Sequence, residues 1–180
     1  VILIGLGANL RRADGATPAE TLHTAASHLR ALPGLHGARL SRLWDSAPVP
    51  ASDQPRFVNA VLRASGRPDP AGLLAALHAI EARFGRERGE RNAARTLDLD
   101  LLDLNGLVRE AAPVLPHPRL HARAFVLAPL AEVAPGWRHP VTGERAAALL
   151  AALPEEDRAA CRPLGEAVAG PGPGPGQNLA

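Results

Sequence analysis

The chain has 180 residues, enough for one domain with a proper core. Hydrophobic residues make up 46% but aromatics only 3%, so that core must lean on Ala, Leu and Val. The formal net charge is +2 and the cations are arginines, a balance that makes no general case for nucleic acid or an acidic membrane and turns attention to where the arginines cluster. The lone cysteine, Cys161, cannot form an internal disulfide and lacks zinc-site neighbours, so a reducing cytoplasm is expected. No apolar run approaches the roughly 20 residues of a membrane span, and no signal-peptide pattern opens the chain.

Val1 to Leu6 reads as a buried strand ending in the turn Gly5-Leu6-Gly7-Ala8-Asn9. Leu10 prevents the glycines from completing a dinucleotide fingerprint. Two readings stand there, plain turn chemistry or a tight strand exit beside a ligand. Thr17, Pro18 and Glu20 form a helix start, with N-cap, N1 proline and capping-box partner. Leu22, Ala25, Ala26 and Leu29 mark the buried stripe, and Pro33-Gly34 stops the helix. Arg39 to Trp44 alternates as a second strand. Ser46 to Pro55 is a Pro-rich loop of the length expected for a binding loop or lid. Phe57 to Ala64 is a third strand with Phe57, Asn59 and Val61 on one face. Asn59 is costly to bury without partners; it either satisfies nearby backbone or reads a polar heterocycle stacked on Phe57.

Asp69-Pro70 starts a second helix. Leu73, Leu74, Leu77, Ile80 and Phe84 should bury it, Gly85 should end it, and His78 and Glu81 should flank the stripe in solvent. Arg83, Arg86, Arg88, Arg91 and Arg95 then lead into Arg95-Thr96-Leu97-Asp98-Leu99-Asp100-Leu101-Leu102. That segment alternates as a strand, with Leu97, Leu99 and Leu101 on one face and Asp98 and Asp100 on the other. At the strand rise the two carboxylates lie about 6.6 Å apart at the backbone. Two anions on one face call for a cation, and oxygen-only ligands favour magnesium. Guanidinium forks recognise phosphate oxygens. Acids and arginines together suit a polyphosphate and its metal, although such a basic run is also the mark of a solvated loop. Beyond the Asn105-Gly106 turn, His117 sits between two prolines on a rigid loop. Phe125 to Val133 is helix-length but interrupted by Pro129, Ala146 to Leu153 forms a short helix, and Pro154 to Leu164 adds another turn. The Gly-Pro tail from Val168 has nothing to bury, which gives a domain at 1–167 and a flexible tail at 168–180.

Four segments in this order resemble the 6-hydroxymethyl-7,8-dihydropterin pyrophosphokinase family. They are Gly5-Leu6-Gly7-Ala8-Asn9-Leu10, Asp53-Gln54-Pro55-Arg56-Phe57-Val58-Asn59, Arg95 to Asp100, and Pro116-His117-Pro118-Arg119 with Arg123-Ala124-Phe125. The resemblance runs to about Leu153. It implies an α+β fold with a ferredoxin-like βαββαβ core, its helices packed on the sheet in a three-layer αβα arrangement. It also implies transfer of pyrophosphate from ATP to the pterin hydroxymethyl group, a step of folate synthesis. By position, Asp98 and Asp100 would hold two Mg²⁺ ions. Arg86, Arg88, Arg95, Arg123 and His117 would hold ATP, with Arg86 and Arg95 stabilising the transferring group and Glu81 nearby. Phe57, Asn59 and Phe125, with backbone around Ser46 and Ala47, would take the pterin. The sequence departs from the family pattern at Ala8, Phe57 (for Tyr), His78 (for Gln) and Asn92 (for an aromatic), and in a loop between Gly85 and Arg95 one residue shorter. ATP and the pterin are then the partners, with no nucleic acid, membrane or obligate protein partner. A metal-dependent nucleotidyltransferase and a ferredoxin-like RNA-binding module are the rival readings.

Overall fold

The computed structural model describes residues 1–85 and 94–165. Arg86, Arg88, Arg91, Asn92 and the Gly-Pro tail fall outside the described residues. Strands β1 (Ile2–Ala8), β2 (His36–Leu40), β3 (Trp44–Ser46), β4 (Phe57–Ser65), β5 (Asp98–Leu104) and β6 (Cys161–Pro163) form one antiparallel sheet. Its order is β5-β1-β4-β3-β6, and β2 pairs with the far end of β4. Helices α1 (Pro18–Arg30) and α2 (Pro70–Arg83) cover one face; α3 (Ala124–Val133) and α4 (Ala146–Ala152) pack over the other. A short α5 (Glu155–Ala159) leads into β6.

Local chemistry accounts for most of these boundaries. Thr17 accepts from the Glu20 N–H while the Glu20 carboxylate accepts from the Thr17 N–H at 2.8 Å, closing the expected capping box, worth about 1 kcal/mol. Asp69 caps α2 through the Gly72 N–H at 2.8 Å, with Pro70 at N1. Alternation along the central strands divides the core in two. Ile4, Leu6, Leu62, Leu99 and Leu101 join α1 and α2, whereas Leu3, Val61 and Leu102 join α3 and α4.

Several expectations are corrected. The second strand is two strands, β2 and β3, separated by residues 41–43, because each pairs with a different part of β4. β1 continues through the glycines to Ala8. Pro129 lies inside α3, buried with Ala128 and Leu130, and does not break it. Leu74 is only half-buried. Glu81 is not solvated: it is 3% exposed and accepts the Leu99 N–H at 2.7 Å. The segment after Leu153 supplies a strand as well as a turn of helix. In β5 the alternation fails after Leu101, where a bulge opposite Leu3 and Ile4 turns both Leu102 and Asp103 to the α3 face. Asp103 is thereby buried, and accepts from Trp137 Nε1 at 2.8 Å and the Gly106 N–H at 3.1 Å. No helix among the described residues is long and apolar enough to cross a membrane.

Candidate active site

Pairing register builds the site floor. Gly7 of β1 stands opposite Asp98 of β5 on one side and Asn59 of β4 on the other, and Asn59 stands opposite Trp44 of β3. Gly5 likewise separates Asp100 from Val61. Two strand spacings place the acids and Asn59 roughly 10 Å apart at the backbone. Between them the floor carries only hydrogen atoms. A Cβ at Gly7 would sit 3.3 Å from Asn59 Oδ1, and one at Gly5 would sit 3.5 Å from the Leu102 side chain. Small residues at these positions therefore keep a cavity of about 340 Å³ open on the α3 side of the sheet. The glycine-rich end of β1 thus borders a cleft.

The acidic end is strongly charged. Arg95 Nη1 lies 2.5 Å from Asp98 Oδ2, Arg123 Nη1 lies 3.7 Å from Asp100 Oδ2, and His117 Nε2 lies 3.9 Å from that oxygen. Both aspartates project from the same face of β5 into the cavity. Burial, and then the neighbouring Asp98 charge, hold the Asp100 carboxyl above its ordinary range despite the cations beside it. Burial, with Arg123 and Arg119, pushes the His117 imidazole down and favours its neutral form. Arg123 is pushed down by burial and by Arg119, and its guanidinium lies 5.4 Å above the Phe125 ring. The N–H of His117 donates to Leu102 O at 2.8 Å, which ties its loop to β5.

The opposite end is neutral. Asn59 is 4% exposed, and its Nδ2 donates to Ser46 Oγ at 2.7 Å. So the amide partners a side-chain hydroxyl, not neighbouring backbone. Phe57, Phe125, Ala47 and the Pro48-Val49-Pro50 segment complete the wall. Asn9, unassigned from the sequence, joins the two ends. Its Oδ1 accepts the Arg95 N–H at 2.8 Å, and its Nδ2 donates to Gln54 Oε1 and Pro55 O, both at 3.1 Å. The Asn9 N–H also donates to Arg95 O at 3.0 Å. One 3%-exposed amide therefore fixes the Arg95 approach and the base of the Pro-rich loop. The only sequence signal for this was an Asn directly after a glycine-rich strand end.

Nine of the anticipated residues line the cavity: Ser46, Ala47, Phe57, Asn59, Arg95, Asp98, Asp100, Arg123 and Phe125. His117 stands at its edge beside Asp100. Glu81 does not line it, because its carboxylate is taken up beneath β5 by the Leu99 amide. Arg86 and Arg88 lie outside the described residues. Arg119, Gln54, Gly5 and Gly7 are additional lining residues.

A cleft with carboxylates and guanidinium groups at one end, and an amide flanked by aromatic rings at the other, defines a group-transfer enzyme that unites a phosphate donor with a planar polar acceptor. The chain belongs to the 7,8-dihydro-6-hydroxymethylpterin-pyrophosphokinase (HPPK) family, whose model matches residues 3–135. It is 40% identical over 156 residues to the 2-amino-4-hydroxy-6-hydroxymethyldihydropteridine pyrophosphokinase of Pseudomonas aeruginosa, covering 86% of this chain and 93% of that one. The Haemophilus influenzae enzyme of the same name is 39% identical over 132 residues, covering 73% of this chain and 79% of its own length. Among solved structures, the fold resembles Plasmodium falciparum HPPK-DHPS (wild type with SDX-DHP) with a TM-score of 0.60 at 15% identity. That likeness covers 83% of this chain but 43% of the longer one, and it speaks for the fold alone.

Proposed function

We propose that the chain transfers pyrophosphate from ATP to 6-hydroxymethyl-7,8-dihydropterin, giving AMP and the pterin diphosphate in the cytoplasm. The observation that carries the reading is the row Asp98–Gly7–Asn59, which sets an acid-and-cation end and an amide end in one cavity across an open floor. Family membership supplies the identity of the two substrates. The core itself is read as ferredoxin-like βαββαβ between two helical layers. The β5-β1-β4 order supports this, with β2 and β3 sharing the remaining edge of β4.

Asp98 and Asp100 would hold two Mg²⁺ ions. The donor set fits them: two carboxylates share a face of β5, and burial, and then the Asp98 charge, raise the Asp100 carboxyl, a penalty on the anion that a divalent cation relieves. No group of three or more His, Cys, Asp or Glu side chains gathers among the described residues, so the two carboxylates would share the ions with oxygen ligands from the nucleotide and water. Such ions neutralise phosphate charge and hold donor and acceptor in line. Arg95, Arg123 and His117 would then contact the phosphates, with Arg86 and Arg88 from the basic loop, and Glu81 would position β5 from beneath. Ser46, Ala47 and Asn59 would read the pterin edge while Phe57 and Phe125 cover its faces.

Positioning and charge stabilisation should supply most of the rate. Arg95 and Asp98 would face the charge that develops on the transferring group. No side chain is required as an obligatory base. The purified chain, incubated with ATP, Mg²⁺ and the reduced hydroxymethylpterin, should yield AMP and the pterin diphosphate. Release of inorganic pyrophosphate instead would favour the nucleotidyltransferase reading and overturn this one. Salt-sensitive RNA retention without ATP turnover would favour the RNA-binding reading.

A further inference from the structure

The acceptor end of the cleft has a support that lies outside the 3–135 interval of the family match. β6 pairs with β3 so that Ser46 faces Cys161, Asp45 faces Arg162 and Trp44 faces Pro163. The Leu164 N–H extends the pairing to Leu43 O at 2.8 Å. Ala160, just before β6, presents one carbonyl to two donors. The Ala47 N–H reaches it at 3.3 Å and Arg56 Nη2 at 3.1 Å. Arg56 Nε simultaneously donates to Asp45 Oδ2 at 2.8 Å, and Arg162 Nε stands 3.6 Å from the same oxygen. One guanidinium thus joins β3, the start of β4 and the C-terminal arm. Cys161 adds a contact from the other side, in a small apolar cluster with Ala124 and Ala128 against which Phe125 packs.

We propose that Arg56, acting through Asp45 and the Ala160 carbonyl, is a positioning residue for the pterin, and that β6 thereby sets the width of the acceptor slot. This rests on the reading of the cleft given above. Arg56 immediately precedes Phe57, and Asp45 immediately precedes Ser46, so the bridge fixes the backbone on both sides of the slot. Ser46 Oγ in turn holds the Asn59 amide. Nothing in the bridge touches Asp98, Asp100 or Arg95, whose supports are β1, β5 and Asn9. The bridge therefore acts on one substrate only. Arginine suits the role because its fork serves two acceptors on separate elements at once, which the point charge of lysine does not.

The test is steady-state kinetics on the full chain with each substrate varied in turn, together with equilibrium titration of 6-hydroxymethylpterin without nucleotide. Arg56→Ala should raise the pterin KM and Kd roughly five-fold, the scale of a charge-assisted bond at a half-exposed site. It should leave the ATP KM unchanged. Arg56→Lys should fall between this variant and the unaltered chain. Arg162→Ala, whose ion pair is longer, should shift the pterin KM by about twofold or less. Equal shifts in both KM values, a change confined to kcat, or a lowered melting midpoint with an unchanged pterin KM would overturn the proposal. Should Arg56→Ala fail to fold, the Arg56→Lys and Arg162→Ala comparison decides by the same split. An unaltered chain that makes AMP while these variants keep their pterin KM removes the bridge alone. An unaltered chain that neither makes AMP nor binds the pterin removes the reading of the cleft, and the bridge with it.

Discussion

The two ends of the cleft are built on opposite principles. At the acidic end, Asp98 and Asp100 come from β5 paired to β1, and the local energy is electrostatic: acids in repulsion, cations within 4 Å of each, and an Asp100 carboxyl held above its ordinary range. At the other end, the groups are an amide, a hydroxyl and aromatic rings carried by β3, β4 and α3, and the amide donates to the hydroxyl. Under the proposed function, the difference separates two jobs. Charge that must be ready before a polyanion arrives is stored at some cost to stability, whereas a shape-reading slot is stabilised by its own hydrogen bonds.

The largest expected effect tests the acidic end. Asp98→Ala should lower kcat by roughly a thousand-fold or more, the scale of losing a metal-holding or transition-state group, while the pterin Kd measured without nucleotide changes little; near-normal turnover would remove the metal assignment. Asp100→Asn should be equally inactive yet melt at a higher temperature than the unaltered chain. The sign follows from the raised carboxyl: the folded state holds the proton more tightly than the unfolded chain, so the charged form is penalised at neutral pH and an amide removes that penalty. A lowered melting point would show that the contacts to Arg123 and His117 outweigh the cost of burial and the repulsion from Asp98. Arg95→Ala should reduce kcat by about a hundred-fold with a smaller rise in ATP KM, because charge builds up in the transition state; an effect confined to KM would contradict that role.

Asn9→Ala is designed to break the separation between the ends. It leaves the Arg95 N–H without its acceptor and the Gln54–Pro55 turn without its donor. Both KM values should rise together, each by roughly ten-fold, the scale of one or two buried hydrogen bonds. A rise in only one would mean that the amide serves a single end. The smallest effect lies away from both. His139 is 6% exposed, lies edge-on to Trp137 at 5.9 Å, and its Nδ1 accepts the Val141 and Thr142 N–H groups at 3.3 Å. Burial, and then His121, push its pKa below the usual 6.5. The unfolded chain therefore binds a proton that the folded chain resists, and stability contributed by the neutral ring is lost as pH falls from about 6.5 through the depressed folded value. Thermal midpoints between pH 7.5 and 5 should decline less in His139→Asn, with substrate KM values unchanged at neutral pH. Parallel pH curves would exclude this residue as the cause.

Residues whose role follows from neighbours in the chain were readable in advance. Thr17, Pro18 and Glu20 specify a helix start by local hydrogen bonding, and the period-two pattern from Leu97 to Leu101 puts Asp98 and Asp100 on one face. Roles that depend on a distant partner were hidden. Glu81 looked solvated because nothing near it in sequence reveals the Leu99 amide beneath β5. Pro129 looked like a helix breaker because the pattern alone does not show how α3 is packed. Cys161–Pro163 carries too few residues to signal a strand, and becomes one only because β3 offers it an unpaired edge.

By itself, the order of residues determined which chemistry this protein holds: carboxylates two positions apart on a pleated segment, arginines leading up to them, and an Asn beside a Phe on another strand. Those are properties of short-range period and composition. Tertiary structure alone decided that Gly7 lies between Asp98 and Asn59, that Asn9 links the two ends of the cleft, and that the C-terminal arm pairs with β3 beside Ser46. Strand register and long-range pairing fix such relations, since they bring together residues more than a hundred positions apart in the chain, and no local pattern encodes which strand will lie beside which.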